Sequence, residues 1–175
     1  MMVEKGEEDI MFKKILVPLD GSEASTRALH TAVEMAQVHG SELYLVYVVS
    51  VDLFENYEIP DGRTDKEKAV EMTRYTDFAD AYKHESLTEV FKEYKTGQGM
   101  QFLGDVKATI PEGIKVECSI EVGVPKEAIL AVAKKEDTDL IVMGRQGMSA
   151  VKRIFVGSVT TYVMANAECP VLVVK

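Results

Sequence analysis

The chain has 175 residues, 46% hydrophobic and 28% charged, with a formal net charge of −9. That length fits one domain able to bury a proper core, and the acidic balance argues against general attraction to nucleic acid, itself a polyanion. No apolar run approaches the roughly 20 residues that span a bilayer, which argues against a membrane helix.

Met1 to Asp9 carry acidic side chains and no apolar core, unlike a signal peptide, and residues 1–12 read as a flexible extension of a cytoplasmic protein. Residues 13–175 then read as a single domain. A first strand is expected over 13–19, with Ile15 to Val17 buried and Pro18, which has no N–H, at the strand end. Asp20-Gly21-Ser22 turns the chain into a helix, with Ser22 or Asp20 as N-cap. Ala24, Ala28, Leu29, Ala32 and Ala36 form its sheet-facing stripe, and Gly40 suits its C-terminal stop. Asp20 has two readings, helix cap or ligand group, since open α/β sheets place their sites at the carboxyl ends of strands. A second strand, rich in β-branched and aromatic residues, is expected over 42–49.

From Ser50 to Glu85 the compact pattern lapses, and residues 52–85 read as a long insertion whose stripe of Met72, Tyr75, Ala79 and Tyr82 is first of all ordinary core packing, with a flap or a partner surface as the functional alternative. Thr64 to Glu67 and Ser86 to Glu89 each fit a capping box. The helix begun by the second should break or fray at Gly97 and Gly99 and resume over 100–108, because each glycine weakens a helix by about 1 kcal/mol relative to Ala. Residues 114–121 alternate apolar and polar, as in a strand near a sheet edge. Pro125 fits the first turn of the next helix, which Ala128, Ile129, Val132 and Ala133 would bury. Cys118 and Cys169 are too few for a disulfide scaffold and lack C-x-x-C spacing, so both read as buried thiols in a reducing cytosol.

Leu140 to Met143 are four consecutive apolar residues, too short for a helix and right for a strand buried on both faces. Gly144 ends it and Gly147 follows. Gly157 and Ser158 then open a helix over 159–167, and a final strand covers 171–174. Glycines permit close backbone approach to an anion, a helix N-terminus offers unpaired N–H groups in a favourable dipole, and Ser158 adds a hydroxyl. The chemistry this suggests is phosphate cradling. The bland alternative is a glycine-rich connection that binds nothing.

The run Gly144-x2-Gly147-x9-Gly157-Ser158, followed by Val159 and Thr160, resembles the nucleotide-binding signature of the universal stress protein family in its ATP-binding branch. It is not a Walker A loop, having no Gly-Lys-Ser/Thr tripeptide, nor a G-x-G-x-x-G fingerprint at a first strand. The resemblance covers residues 13–175 and is weakest between Val51 and Thr109. It implies an α/β fold, Rossmann-like and of the adenine nucleotide alpha hydrolase-like kind, with a five-stranded parallel sheet in the order 3-2-1-4-5 and helices on both faces. That order brings Asp20 and Gly144 to one crevice at the switch point. It also implies a site in which Asp20 meets the ribose and Val48 meets the adenine through its backbone. Pro18, Leu19, Met143, Gly144, Arg145, Gly147, Gly157, Ser158, Val159 and Thr160 would complete the binding set. The ligand implied is ATP, or AMP or ADP, with Mg²⁺.

The leading reading is a stress-response protein that uses bound adenine nucleotide as a switch or sensor toward a downstream partner the sequence does not identify. A slow ATPase, or a phosphoryl or adenylyl transferase, would use the same crevice. Such transfer wants positioned cations, and Arg145, Lys152 and Arg153 lack the fixed P-loop position while His30, His39 and His84 lie outside the motif. A flavin-binding electron carrier of the same fold class would want an aromatic-rich loop after the fourth strand. Finally, strand 171–174 is apolar on both faces yet stands at the sheet edge in the implied order. Soluble proteins cover or pair such an edge, so a homodimer through this strand is expected.

Overall fold

In the computed structural model, residues 12–50, 87–146 and 156–175 are described, with side chains from Lys92 onward in the second stretch. The expected N-terminal extension, the 52–85 insertion, the first capping box and Gly147 lie outside these residues. Among the described residues nine elements follow in chain order: β1 (Lys14–Leu19), α1 (Glu23–His39), β2 (Glu42–Ser50), α2 (Leu87–Thr109), β3 (Val116–Gly123), α3 (Pro125–Lys135), β4 (Leu140–Gly144), α4 (Ser158–Asn166) and β5 (Val171–Val174).

The strands form one sheet in the order β3-β2-β1-β4-β5, every described pairing parallel. Side chains alternate between its two faces. Ile15, Val17, Leu43, Leu45, Leu140 and Val142 pack with Ala28, Leu29 and Ala32 of α1 and Leu103 of α2. Leu16, Tyr44, Val46, Ile141 and Met143 pack on the other face with Ile129 and Val132 of α3 and Val163 of α4. This is why the run 140–143 is apolar without interruption: each neighbour in it belongs to a different core. Burying one such side chain contributes about 1.5–3 kcal/mol.

The alanine stripe of α1 is buried as expected. Ser22 is the N-cap, its hydroxyl accepting from Ser25 N–H at 3.1 Å, and Gly40 takes the left-handed C-cap conformation at φ 73°. Pro18 lies one residue inside the end of β1, past the last β4 pairing at Leu16, while the β2 ladder runs on to Leu19 and Tyr47.

Two expectations fail. α2 is continuous through Gly97 and Gly99. Gly99 is buried, and a Cβ there would stand 2.8 Å from Cδ1 of Tyr47 and 3.2 Å from Cδ1 of Ile120. The glycine lets the helix lie close to β2 and β3, where Tyr47 packs against Phe102 at a 5.7 Å centroid distance, and this packing offsets the loss of propensity. The second failure is Cys118, which is exposed on edge strand β3, whereas Cys169 is partly buried. Among the described residues no helix is long and apolar enough to cross a membrane.

Candidate functional site

The crevice forms where the chain leaves the sheet in opposite directions, between the carboxyl ends of β1 and β4. After β1, Gly21 takes φ +81°, a conformation that glycine adopts without strain, and so turns the chain sharply into α1. Asp20 Oδ1 accepts from Ser22 N–H at 3.0 Å. The carboxylate therefore supports the helix entry and stays at the mouth of the crevice, partly exposed. Both readings of Asp20, cap support and ligand group, are compatible with that position.

On the β4 side Gly144 is fully enclosed. A Cβ there would fall 2.6 Å from the carbonyl carbon and 2.8 Å from Cβ of Ala24, so its glycine lets β4 press against the first turn of α1. The Ala24 backbone is thus one close neighbour that requires a glycine at this position. At Gly157 the backbone angle itself demands no glycine. Its φ is −62°, which any residue adopts, and a Cβ would meet Arg145 O and Gln146 Cα at 3.4 Å. What it supplies as the N-cap of α4 is the absence of a capping side chain: no side-chain hydrogen bond closes the first turn.

Instead the turn is tied to the sheet. Gly157 N–H donates to Arg145 O at 2.8 Å, Thr160 Oγ1 donates to Gly144 O at 3.0 Å, and Arg145 N–H donates to Val174 O at 2.9 Å. The start of α4, the end of β4 and the end of β5 thus form one hydrogen-bonded frame. The sequence pointed to these residues but not to this wiring, whose partners are distant in the chain. The weak signal for it was a small hydroxyl residue, Thr160, at the third helical position after Gly157.

The expected site residues divide by burial. Leu19 and Met143 are core side chains, so only their backbone can face a ligand. Val48 and Val159 are partly buried against the α3–α4 face, and Pro18 is likewise partly buried. Asp20, Arg145 and Ser158 keep side chains at least partly open to solvent. The structure brings the end of β4 against the start of α4 and against the first turn of α1 that follows β1; Gly147 is not among the described residues. Nor do the described residues contain a group of three or more His, Cys, Asp or Glu able to hold a metal.

An open parallel sheet with helices on both faces and a reversal of strand order between β1 and β4 defines a doubly wound α/β protein. The sequence profile of the Universal stress protein family matches residues 11–175, and the chain belongs to that family. It is 34% identical over 175 residues to a universal stress protein of Methanocaldococcus jannaschii, a match covering 99% of this chain and 87% of that protein. Among solved structures, hypothetical protein MJ0577 superposes with TM-score 0.69 at 30% identity, covering 94% of this chain and 96% of its own. A universal stress protein from Lactobacillus plantarum gives TM-score 0.58 at 29% identity, covering 93% and 97%.

Proposed function

We propose that this protein binds an adenine nucleotide, ATP in the first instance, between the carboxyl ends of β1 and β4, and acts in the cytoplasm as a nucleotide-dependent switch. The observation that carries the reading is the first turn of α4. Its N-cap is a glycine without a capping side chain, and it is anchored to β4 through Gly157 N–H and Arg145 O. A helix end whose N-cap residue offers no side-chain acceptor, following a strand-end carboxylate across the sheet, suits a phosphate on one side and a ribose on the other. Membership of the universal stress protein family, together with the glycine signature at these positions, supports the assignment. A solved universal stress protein in complex with cAMP shares the fold at 22% identity.

In this reading Ser158 and the first-turn amides hold phosphate, Asp20 the ribose hydroxyls, and the Val48 backbone the adenine, with Mg²⁺ arriving on the nucleotide. Strand β5, whose only pairing among the described residues is with β4, joins the same strand of a second copy to make a homodimer. Denaturing the purified protein and identifying released small molecules by mass spectrometry tests the assignment. ATP recovered without turnover supports the switch. ADP or AMP accumulating on incubation would instead indicate an enzyme, and a flavin would overturn the adenine-nucleotide reading.

A further inference from the structure

We infer that Thr160 is a positioning residue for phosphate, acting through the β4–α4 frame without touching the ligand; the inference rests on the nucleotide-binding reading above. Its side chain is buried, with 3% relative exposure, and its hydroxyl donates to Gly144 O at 3.0 Å across the whole β4–α4 connection. A ligand cannot reach a group so enclosed. The family resemblance implies Thr160 in the binding set, and its enclosed, hydrogen-bonded hydroxyl suits support of that set.

Thr160 occupies the third helical position after N-cap Gly157. In a capping box the residue there turns back to the N-cap N–H, and the helix closes its own first turn. Here both halves of that exchange are diverted to the sheet. The N-cap N–H goes to Arg145 O, and the third-position side chain goes to Gly144 O. The first turn is held at two consecutive carbonyls, the last of β4 and the one after it, which fixes its direction, and N-cap Gly157 places no side-chain cap over the Ser158 and Val159 amides. Gly144 is itself wedged against Ala24 of α1. Thr160 therefore sets α4 relative to the end of β4 and to the α1 entry, beside which Asp20 stands. Hydrogen bonds to an anion depend steeply on direction and distance, so small rotations of α4 weaken phosphate binding. The adenine end of the crevice, at β2, does not depend on this bond.

Calorimetric titrations of ATP and of adenosine into the wild type, Thr160→Val and Thr160→Ser test the inference. Val matches the shape of Thr but removes the donor. ATP affinity should fall about tenfold in Thr160→Val, the equivalent of one net hydrogen bond, with adenosine affinity within twofold of wild type. Thr160→Ser, which keeps the hydroxyl, should restore ATP binding. Equal ATP affinity in a folded Thr160→Val chain overturns the inference and leaves nucleotide binding standing. An equal loss for ATP and adenosine also overturns it, since that marks general damage to the fold. If Thr160→Val does not fold, Thr160→Ala is held to the same ATP-against-adenosine comparison. A wild-type chain that binds no ATP removes the nucleotide reading itself, and this inference with it.

Discussion

Glu42 opens β2, and its carboxylate accepts from Lys115 Nζ at 2.7 Å while facing Lys14 Nζ at 3.5 Å. One side chain therefore ties the start of β1 and the approach to β3 to the start of β2, at the end of the sheet away from the crevice. The hydrogen bond from Lys115 holds the Glu42 carboxyl below its usual pKa, with partial burial opposing and Lys14 assisting; the same contact raises the Lys115 ammonium. A carboxylate whose folded pKa lies below its unfolded value of about 4.3 stabilises the fold at higher pH. That stability is lost as pH falls through the lower, folded value. Glu42→Gln should thus lower the melting temperature at pH 7 by about 1–3 °C, a small effect because the pair is solvent-accessible. Below about pH 4 the gap between variant and wild type should close. Thermal melts across pH 3–8 check this; a gap that persisted unchanged to pH 3 would show that the ion pair is not its source.

The two glycines of α2 make opposite predictions although they stand two positions apart. Gly97 is exposed with open space where a Cβ would go, so Gly97→Ala should stabilise by about 0.5–1 kcal/mol. Gly99→Ala must push the Tyr47 ring from a 2.8 Å contact, and overpacking of that kind costs about 1–3 kcal/mol. Denaturant unfolding of the two variants measures both signs, and stabilisation by Gly99→Ala would mean that α2 does not rest on Tyr47 as described. The same pair shows what the sequence made legible. Periodicity and burial belong to single elements, so the α1 stripe, the Gly40 stop and the 140–143 strand could all be read in place. The continuity of α2 depends on Tyr47 and Ile120, residues of two strands that no local pattern links to Gly99. For the same reason the elements around the strand-order switch were legible and the wiring between them was not. Nothing around Thr160 in the sequence names Gly144 as its partner, and Gly144 itself proved to be needed by Ala24.

At the scale of the molecule the sheet has two edges among the described residues, β3 and β5. β3 carries Glu117 and Glu121, charges that discourage pairing with another strand. β5 is Val171-Leu172-Val173-Val174 without a charge, and Leu172 keeps 37% exposure. Pairing of β5 with its copy about a two-fold axis would be antiparallel and self-complementary. Sedimentation at micromolar concentration should give a dimer, and prolines introduced singly from Val171 to Val174 should dissociate it where they remove a ladder N–H. A dimer surviving each of those prolines would be built on another surface.

Nucleotide binding at α4 is tested most directly by calorimetric titration of ATP into the wild type and Gly157→Asp. Asp is a favourable N-cap, its charge suits the helix dipole, and a Cβ at this position meets its neighbours at 3.4 Å or more, so the variant should fold. Its carboxylate would occupy the first turn that phosphate needs. Saturable binding by the wild type is expected, with affinity in Gly157→Asp reduced at least tenfold, about 1.4 kcal/mol, at unchanged or raised thermal stability. No binding by the wild type, or equal affinity in the folded variant, would contradict a phosphate site at the start of α4.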